Sequence, residues 1–368
     1  MMGSMIDAPA LPPPALVAPA PREASFGIVA GRLPAGTRQI VVRVGERVVL
    51  QVPHRRRSFS VSVPLSSGLT RVRVIAVDGR DRRSTATVDQ VYGLPDGSRP
   101  GERAPRLDPT FQRTLRALVQ QHGGTAGVYV QDLRSGRGAS WNALARFPAA
   151  STLKLAIAVT ALRRLDGKPA NGTRLAGLLA RMLTVSDNEA ANELEVWLAG
   201  STAAGSHAVD ETMRALGMRD SLMFGGYEVT RRPAVAGPPI PLRVESQPSF
   251  PFGKYTTAAD LARLARVVYL AAAGEGPLLR LGVSGSEARY LLFLLAQTSD
   301  HGKLDRFLGG LPVVLHKAGW LPTARHDSGV VAFRGCAFVA SVLTWRMATA
   351  DELAGRIALF AFDRYAAG

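Results

Sequence analysis

From residue 26 to residue 93 apolar side chains alternate with period two; beyond residue 108 the spacing becomes helical, broken by a few β-branched runs. A segment written in one period does not pack as the other. The chain must therefore build two different kinds of core. In the first stretch, Ile40–Val44, Val48–Val52, Phe59–Val63, Val72–Val77 and Ser84–Val88 are β-branched runs. Gly45-Glu46, Pro53, Ser67-Gly68 and Asp78-Gly79 separate them. Short strands at this spacing predict a small all-β sandwich of immunoglobulin type over 25–93. No cysteine pair supports an antibody-like domain, so the expectation concerns architecture only. Ahead of it, residues 1–24 are rich in Pro and Ala and read as a disordered linker. Residues 94–107 carry Pro, Gly and charge and read as a second linker.

From 108 to 368 the pattern is α+β. Asp108 is placed to cap a helix with Pro109 at its first position. A hairpin is predicted from 127–133 and 138–142, then helices near 151–166, 173–184, 187–199, 206–216, 257–273 and 284–298. Strands at 313–316, 329–333 and 336–344 and a helix at 350–364 close the chain. Strands at both ends with helices between them predict one antiparallel sheet covered by helices.

Lysine usage narrows the chemistry. The chain has 45 Lys and Arg, of which only five are lysines. Lysine is thus scarce where arginine would serve, and arginine cannot release a proton near neutral pH. Lys154 stands in Ser151-Thr152-Leu153-Lys154 and Lys317 in His316-Lys317-Ala318-Gly319-Trp320, with Ser186-Asp187-Asn188 between them. Ser151 opens a predicted helix and Lys154 lies one turn on, so amine and hydroxyl share a face. The helix start favours a developing oxyanion. A neutral amine there can take the serine proton. Taken singly, each motif has a plainer reading: Ser151 and Ser186-Asp187 as helix caps, Lys317 as a charge on an edge strand.

The order and spacing of all three motifs, with Thr256-Thr257-Ala258-Ala259-Asp260-Leu261-Ala262, make residues 108–365 resemble class A β-lactamases and the related penicillin-binding serine hydrolases. The resemblance implies a serine β-lactamase/DD-peptidase-like fold. It implies Ser151 as the acylated nucleophile and Lys154 as its activating amine. Ser186 would pass a proton to the departing nitrogen with help from Lys317, and Asn188 would bind the substrate amide. The backbone N–H groups of Ser151 and Trp320 would form an oxyanion hole. Gly319 completes the third motif, and Arg325 would face the substrate carboxylate.

Three positions depart from the family pattern. Ala318 stands where the family carries a hydroxyl. Ser151 and Ser186 are only 35 residues apart, which shortens one wall of the cleft. Leu216-Gly217-Met218-Arg219-Asp220 begins like the loop that carries the family's water-activating glutamate, and Glu228 falls near the expected place, but Val229-Thr230-Arg231-Arg232 follow it. The reading is a hydrolase that opens a β-lactam amide through a Ser151 acyl-enzyme. A D-Ala-D-Ala peptidase acting on peptidoglycan-like substrates, or another amide or ester hydrolase, is the alternative on the same fold. A cell-wall-binding protein with impaired turnover is the alternative from another class.

Net charge is +16. Residues 22–106 hold 16 Arg against 7 acidic residues, with His54-Arg55-Arg56-Arg57 the densest cluster. Solvated arginines explain this, or attraction to an anionic cell-wall polymer. No nucleic-acid motif accompanies the charge and no nucleic-acid partner is expected. The six histidines show no HExxH or paired-ligand spacing, so neither metal nor cofactor is expected. Cys336 is the sole cysteine and cannot form an internal disulfide. No apolar run is long enough for a membrane span. A monomer is expected. The family implies an extracytoplasmic site, although no signal peptide is visible in the sequence.

Overall fold

The computed structural model describes residues 10–227, 247–250, 253–310 and 312–367. The chain divides into two units, Met1–Asp96 and Gly97–Gly368.

In the first unit the strands are β1 (Ala15–Ala18), β2 (Glu23–Ser25), β3 (Ile28–Arg32), β4 (Thr37–Val44), β5 (Arg47–Pro53), β6 (Ser58–Ser62), β7 (Gly68–Asp78) and β8 (Arg83–Gly93). They form a three-stranded sheet, β1-β3-β6, and a five-stranded sheet, β2-β8-β7-β4-β5. Alternate residues supply a shared core of Val29, Ile40, Val42, Phe59, Val72 and Val74, as period-two strands must when one face is buried. The expected 1–24 linker is partly strand. Ala15–Ala18 pairs with β3, and Leu11 and Leu16 pack against the core. Two leucines at a sheet edge outweigh the Pro/Ala composition.

The second unit continues with β9 (Arg106–Leu107), α1 (Pro109–Gln120), β10 (Thr125–Asp132), β11 (Arg137–Trp141) and β12 (Phe147–Pro148). A 3₁₀ turn, Ala150–Leu153, leads into α2 (Lys154–Leu162), followed by α3 (Arg174–Thr184), α4 (Asn188–Ala199) and α5 (Thr202–Ala215). Then come β13 (Tyr255–Thr256), α6 (Ala258–Ala272), α7 (Pro277–Arg280), α8 (Gly285–Leu295), β14 (Val313–Leu321), β15 (Ala324–Phe333), β16 (Cys336–Trp345) and α9 (Ala350–Ala366). The sheet order is β14-β15-β16-β10-β11-β9. The chain's early hairpin therefore joins its late strands through the antiparallel pair β10–β16. One face packs on α1 and α9 through Phe111, Leu115, Val331, Phe338, Leu353 and Ile357. The other faces α6, which contacts β10, β15 and β16.

Caps set the helix starts. Asp108 accepts from the N–H groups of Thr110 and Phe111 at 3.1 Å. Thr173, Asp187, Ser201, Thr257 and Ser284 cap their helices in the same way. The expected linker at 94–107 is largely folded onto this unit. The Tyr269 hydroxyl donates to the Ser98 carbonyl at 3.0 Å, Arg99 donates to the Ala273 carbonyl at 2.6 Å, and β9 pairs with β11.

Candidate active site

The residues of α2 are all buried, as a helix apolar on every side must be. It begins at Lys154, so a lysine with no exposed surface stands at the inner end of the turn that carries Ser151. A fully buried ammonium needs partners. Lys154 Nζ donates to the Ser186 carbonyl at 2.5 Å and to Asn188 Oδ1 at 2.6 Å, with Ser186 Oγ at 3.4 Å.

Ser186 can offer both oxygens because of its backbone. Its φ is +59°, a left-handed conformation that costs a non-glycine residue about 1–3 kcal/mol. It lies between α3 and α4, where Asp187 caps α4 and pairs with Arg181 Nε at 3.1 Å. Ala150, directly before Ser151, also has a positive φ, +48°. Two strained residues, Ala150 and Ser186, thus stand in this group.

The edge strand β14 supplies the other side. Lys317 is buried, and its Nζ donates to Ser186 Oγ at 3.0 Å and to the Ala318 carbonyl at 2.8 Å. Burial pushes its amine down to about 8, with Asp300 and Asp327 opposing that shift. Ser186 Oγ is therefore shared by two amines. Gly319 follows two residues after Lys317 on the same face. A Cβ on it would stand 2.9 Å from Ala150 Cβ and 3.0 Å from the Ser151 nitrogen. Strand and serine turn are thus in backbone contact, and only glycine allows the approach.

Ala318 is buried and Trp320 stands 56% exposed at the strand's outer end. Arg325, on β15 opposite Trp320, lies 6.0 Å from the Trp320 ring and reaches Asp351 Oδ2 at 3.3 Å. Its charge is thus already engaged by a carboxylate. Glu228 lies outside the described residues.

Four further residues close on this centre. The Tyr227 ring has Lys154 Nζ 4.7 Å and Lys254 Nζ 4.5 Å from its centroid. The Tyr227 N–H donates to Asn192 Oδ1 at 2.5 Å, and Lys254 Nζ donates to the Gly226 carbonyl at 2.7 Å. Glu195 is fully buried and accepts from Ser206 Oγ at 3.0 Å. Burial raises the Glu195 carboxyl and lowers the Lys254 amine, while their mutual attraction favours both charged forms. Among the described residues, the buried Tyr227 hydroxyl and Glu195 Oε2 have no hydrogen-bond partner. Sequence reasoning missed this group. Two signals were available: Lys254 is another of the five lysines, and Asn188, Asn192 and Glu195 fall on one face of α4 at helical spacing.

A sequence profile described as the beta-lactamase enzyme family matches residues 110–171 and 166–365. A β-lactamase of Streptomyces lavendulae is 41% identical over 76 residues, 21% of this chain and 25% of its own length. The chain thus spans about a quarter of that relative. Among solved structures, PBP-A superposes with a TM-score of 0.57 at 20% identity, covering 72% of this chain and 99% of PBP-A. An ancestral class A β-lactamase gives 0.54 at 22% identity, covering 69% and 99%. At such identities the likeness is one of fold. Profile, fold and motif order agree across the second unit, and the chain belongs to the beta-lactamase enzyme family.

Proposed function

We propose that this chain is a serine β-lactamase acting through an acyl-enzyme on Ser151. The observation that carries the reading is the convergence of Lys154 and Lys317 on one serine hydroxyl, Ser186 Oγ, at 3.4 and 3.0 Å. Ser151 Oγ attacks the β-lactam carbonyl carbon as Lys154 takes its proton. The Ser151 and Trp320 N–H groups receive the oxyanion. The ring C–N bond breaks and its nitrogen is protonated through Ser186, which Lys317 holds. Asn188 binds the substrate amide, although its Oδ1 also anchors Lys154. The Gly319 approach brings β14 against the serine turn, Ala318 lines that strand without a hydroxyl, and Arg325 offers charge to the substrate carboxylate from the rim. Glu228 is the proposed base that activates water on the acyl-enzyme. The site is extracytoplasmic, and no helix among the described residues is long and apolar enough to cross a membrane. The arginine-rich first unit is an immunoglobulin-like sandwich that holds the enzyme near an anionic cell-wall polymer.

One observation favours a second reading. The Tyr227 ring packs against the Lys154 amine, 4.7 Å from its centroid, on a side from which a water could otherwise reach it. An enzyme so arranged acylates readily and clears slowly, as a penicillin-binding D-Ala-D-Ala peptidase does. Intact mass after penicillin exposure, followed over time, tests both. A Ser151 adduct that forms and then clears supports the β-lactamase, and one that persists supports the penicillin-binding reading. No adduct, or an adduct retained in Ser151→Ala, rejects both.

A further inference from the structure

On the α9 side of β14 stands a second cluster to which the proposed chemistry assigns no role. His301, Asp305 and His316 each present one ligand atom, and the three atoms lie within 4.8 Å of one another. His316 is buried in β14. Its Nδ1 is held by both oxygens of Asp327 at 2.8 Å, which leaves Nε2 to coordinate. A carboxylate on the far nitrogen is the usual outer support of a metal-binding histidine.

The opposing loop is built as firmly. Leu304 and Leu308 anchor it in the core, and the Leu304 N–H donates to Asp327 Oδ2 at 3.1 Å. Asp305 Oδ1 accepts from the N–H groups of Gly302 and Lys303 at 2.8 and 3.0 Å. Its Oδ2 faces His301 Nδ1 at 2.7 Å. Asp327 therefore fixes both walls of the cluster, the strand histidine and the loop that carries the other two ligands.

We propose that His301, Asp305 and His316 bind one zinc ion, with Asp327 orienting His316 and a water completing the shell. Two imidazoles and one carboxylate suit a borderline divalent transition ion rather than calcium or magnesium, which take oxygen cages. A tetrahedral zinc with bonds of about 2.0–2.1 Å holds its ligands roughly 3.3 Å apart. His301 Nδ1 and Asp305 Oδ2, now 2.7 Å apart, must open slightly while the widest separation, up to 4.8 Å, closes, and exposed His301 can supply both movements. The local charge permits this. Asp300 and Asp327 act on the Lys317 amine, and Lys303 is paired with Asp300. The ion would clip the 301–305 loop to the strand one residue before Lys317. The spacing His-x3-Asp with a histidine eleven residues later contains no histidine pair on one element, so a search for paired histidines passes over it.

The test uses the full chain, stripped with a chelator and titrated with Zn²⁺, and with Co²⁺ as the spectroscopic probe. One equivalent of zinc should survive desalting and raise the melting temperature by several degrees. Co²⁺ should give the intense visible bands of a four-coordinate site. His301→Ala and Asp305→Asn, both at positions that need not disturb the core, should each weaken binding at least 10-fold and abolish the melting shift. Fewer than about 0.2 equivalents retained by the parent overturns the proposal. Unchanged zinc retention in both variants overturns it too, since the metal would then sit elsewhere.

Discussion

Lys154 and Lys317 are both buried and both address Ser186, yet the proposed reaction asks opposite things of them. Lys154 must accept a proton and Lys317 must hold one. Lys154→Arg keeps the charge but cannot act as a base. Acylation should fall about 100-fold or more while the circular dichroism spectrum is unchanged. A rate within tenfold of the parent would mean that Lys154 serves only as a fixed charge. Lys317 sets the pH behaviour. Its amine, lowered to about 8 from 10.5 by burial, loses its proton within the working range. The acylation rate should therefore decline as pH rises through about 8. Stability runs the other way. The folded amine binds fewer protons than the unfolded one between about 8 and 10.5, so this group's contribution to stability rises across that window. A rate that stays level to pH 9.5 would show that charge on Lys317 is dispensable.

Among the elements, β14 shows what sequence pattern can and cannot reveal. Val313 to His316 reads as strand from its β-branched residues, but the strand runs on to Leu321. Lys317-Ala318-Gly319-Trp320 has no β-branched residue, and pairing with β15 holds it extended. The α5 helix begins at Thr202, earlier than periodicity suggests, because Ser201 caps it. The centre divides likewise. Ser151, Lys154, Ser186 and Lys317 are legible because each sits in a short motif. Tyr227, Lys254 and Glu195 come from three separate segments and meet only through tertiary packing. Gly319 lies on the boundary: its motif marks it, but only the 3.0 Å approach to the Ser151 nitrogen says why. Gly319→Ala should push β14 off the serine turn. A small misplacement of reacting groups costs about 100-fold in rate, so acylation should fall by about that much with little change in melting temperature. Near-parental acylation would mean the oxyanion donors tolerate the shift.

For the molecule as a whole, the two units carry separate hydrophobic cores, and among the described residues those of the candidate centre lie in the second. A chain beginning at Gly97 should therefore fold and acylate Ser151 at the parental rate. Where the cut falls matters more than composition suggests. Residues 94–107 look like a dispensable linker, but Ser98 and Arg99 are tied to α6 and the residue after it. Tyr269 is fully buried. Starting at Arg106 instead would remove the hydrogen bonds of both Ser98 and Arg99, and each such bond contributes about 0.5–1.5 kcal/mol. Such a loss lowers the melting temperature of a unit this size by several degrees, at about 2–4 °C per kcal/mol. The shorter chain should thus melt several degrees below the one starting at Gly97, yet acylate as fast at 25 °C. Equal melting temperatures would show that the 97–105 segment contributes nothing to stability. A folded Gly97 chain that fails to acylate would show that the arginine-rich sandwich takes part in building the site.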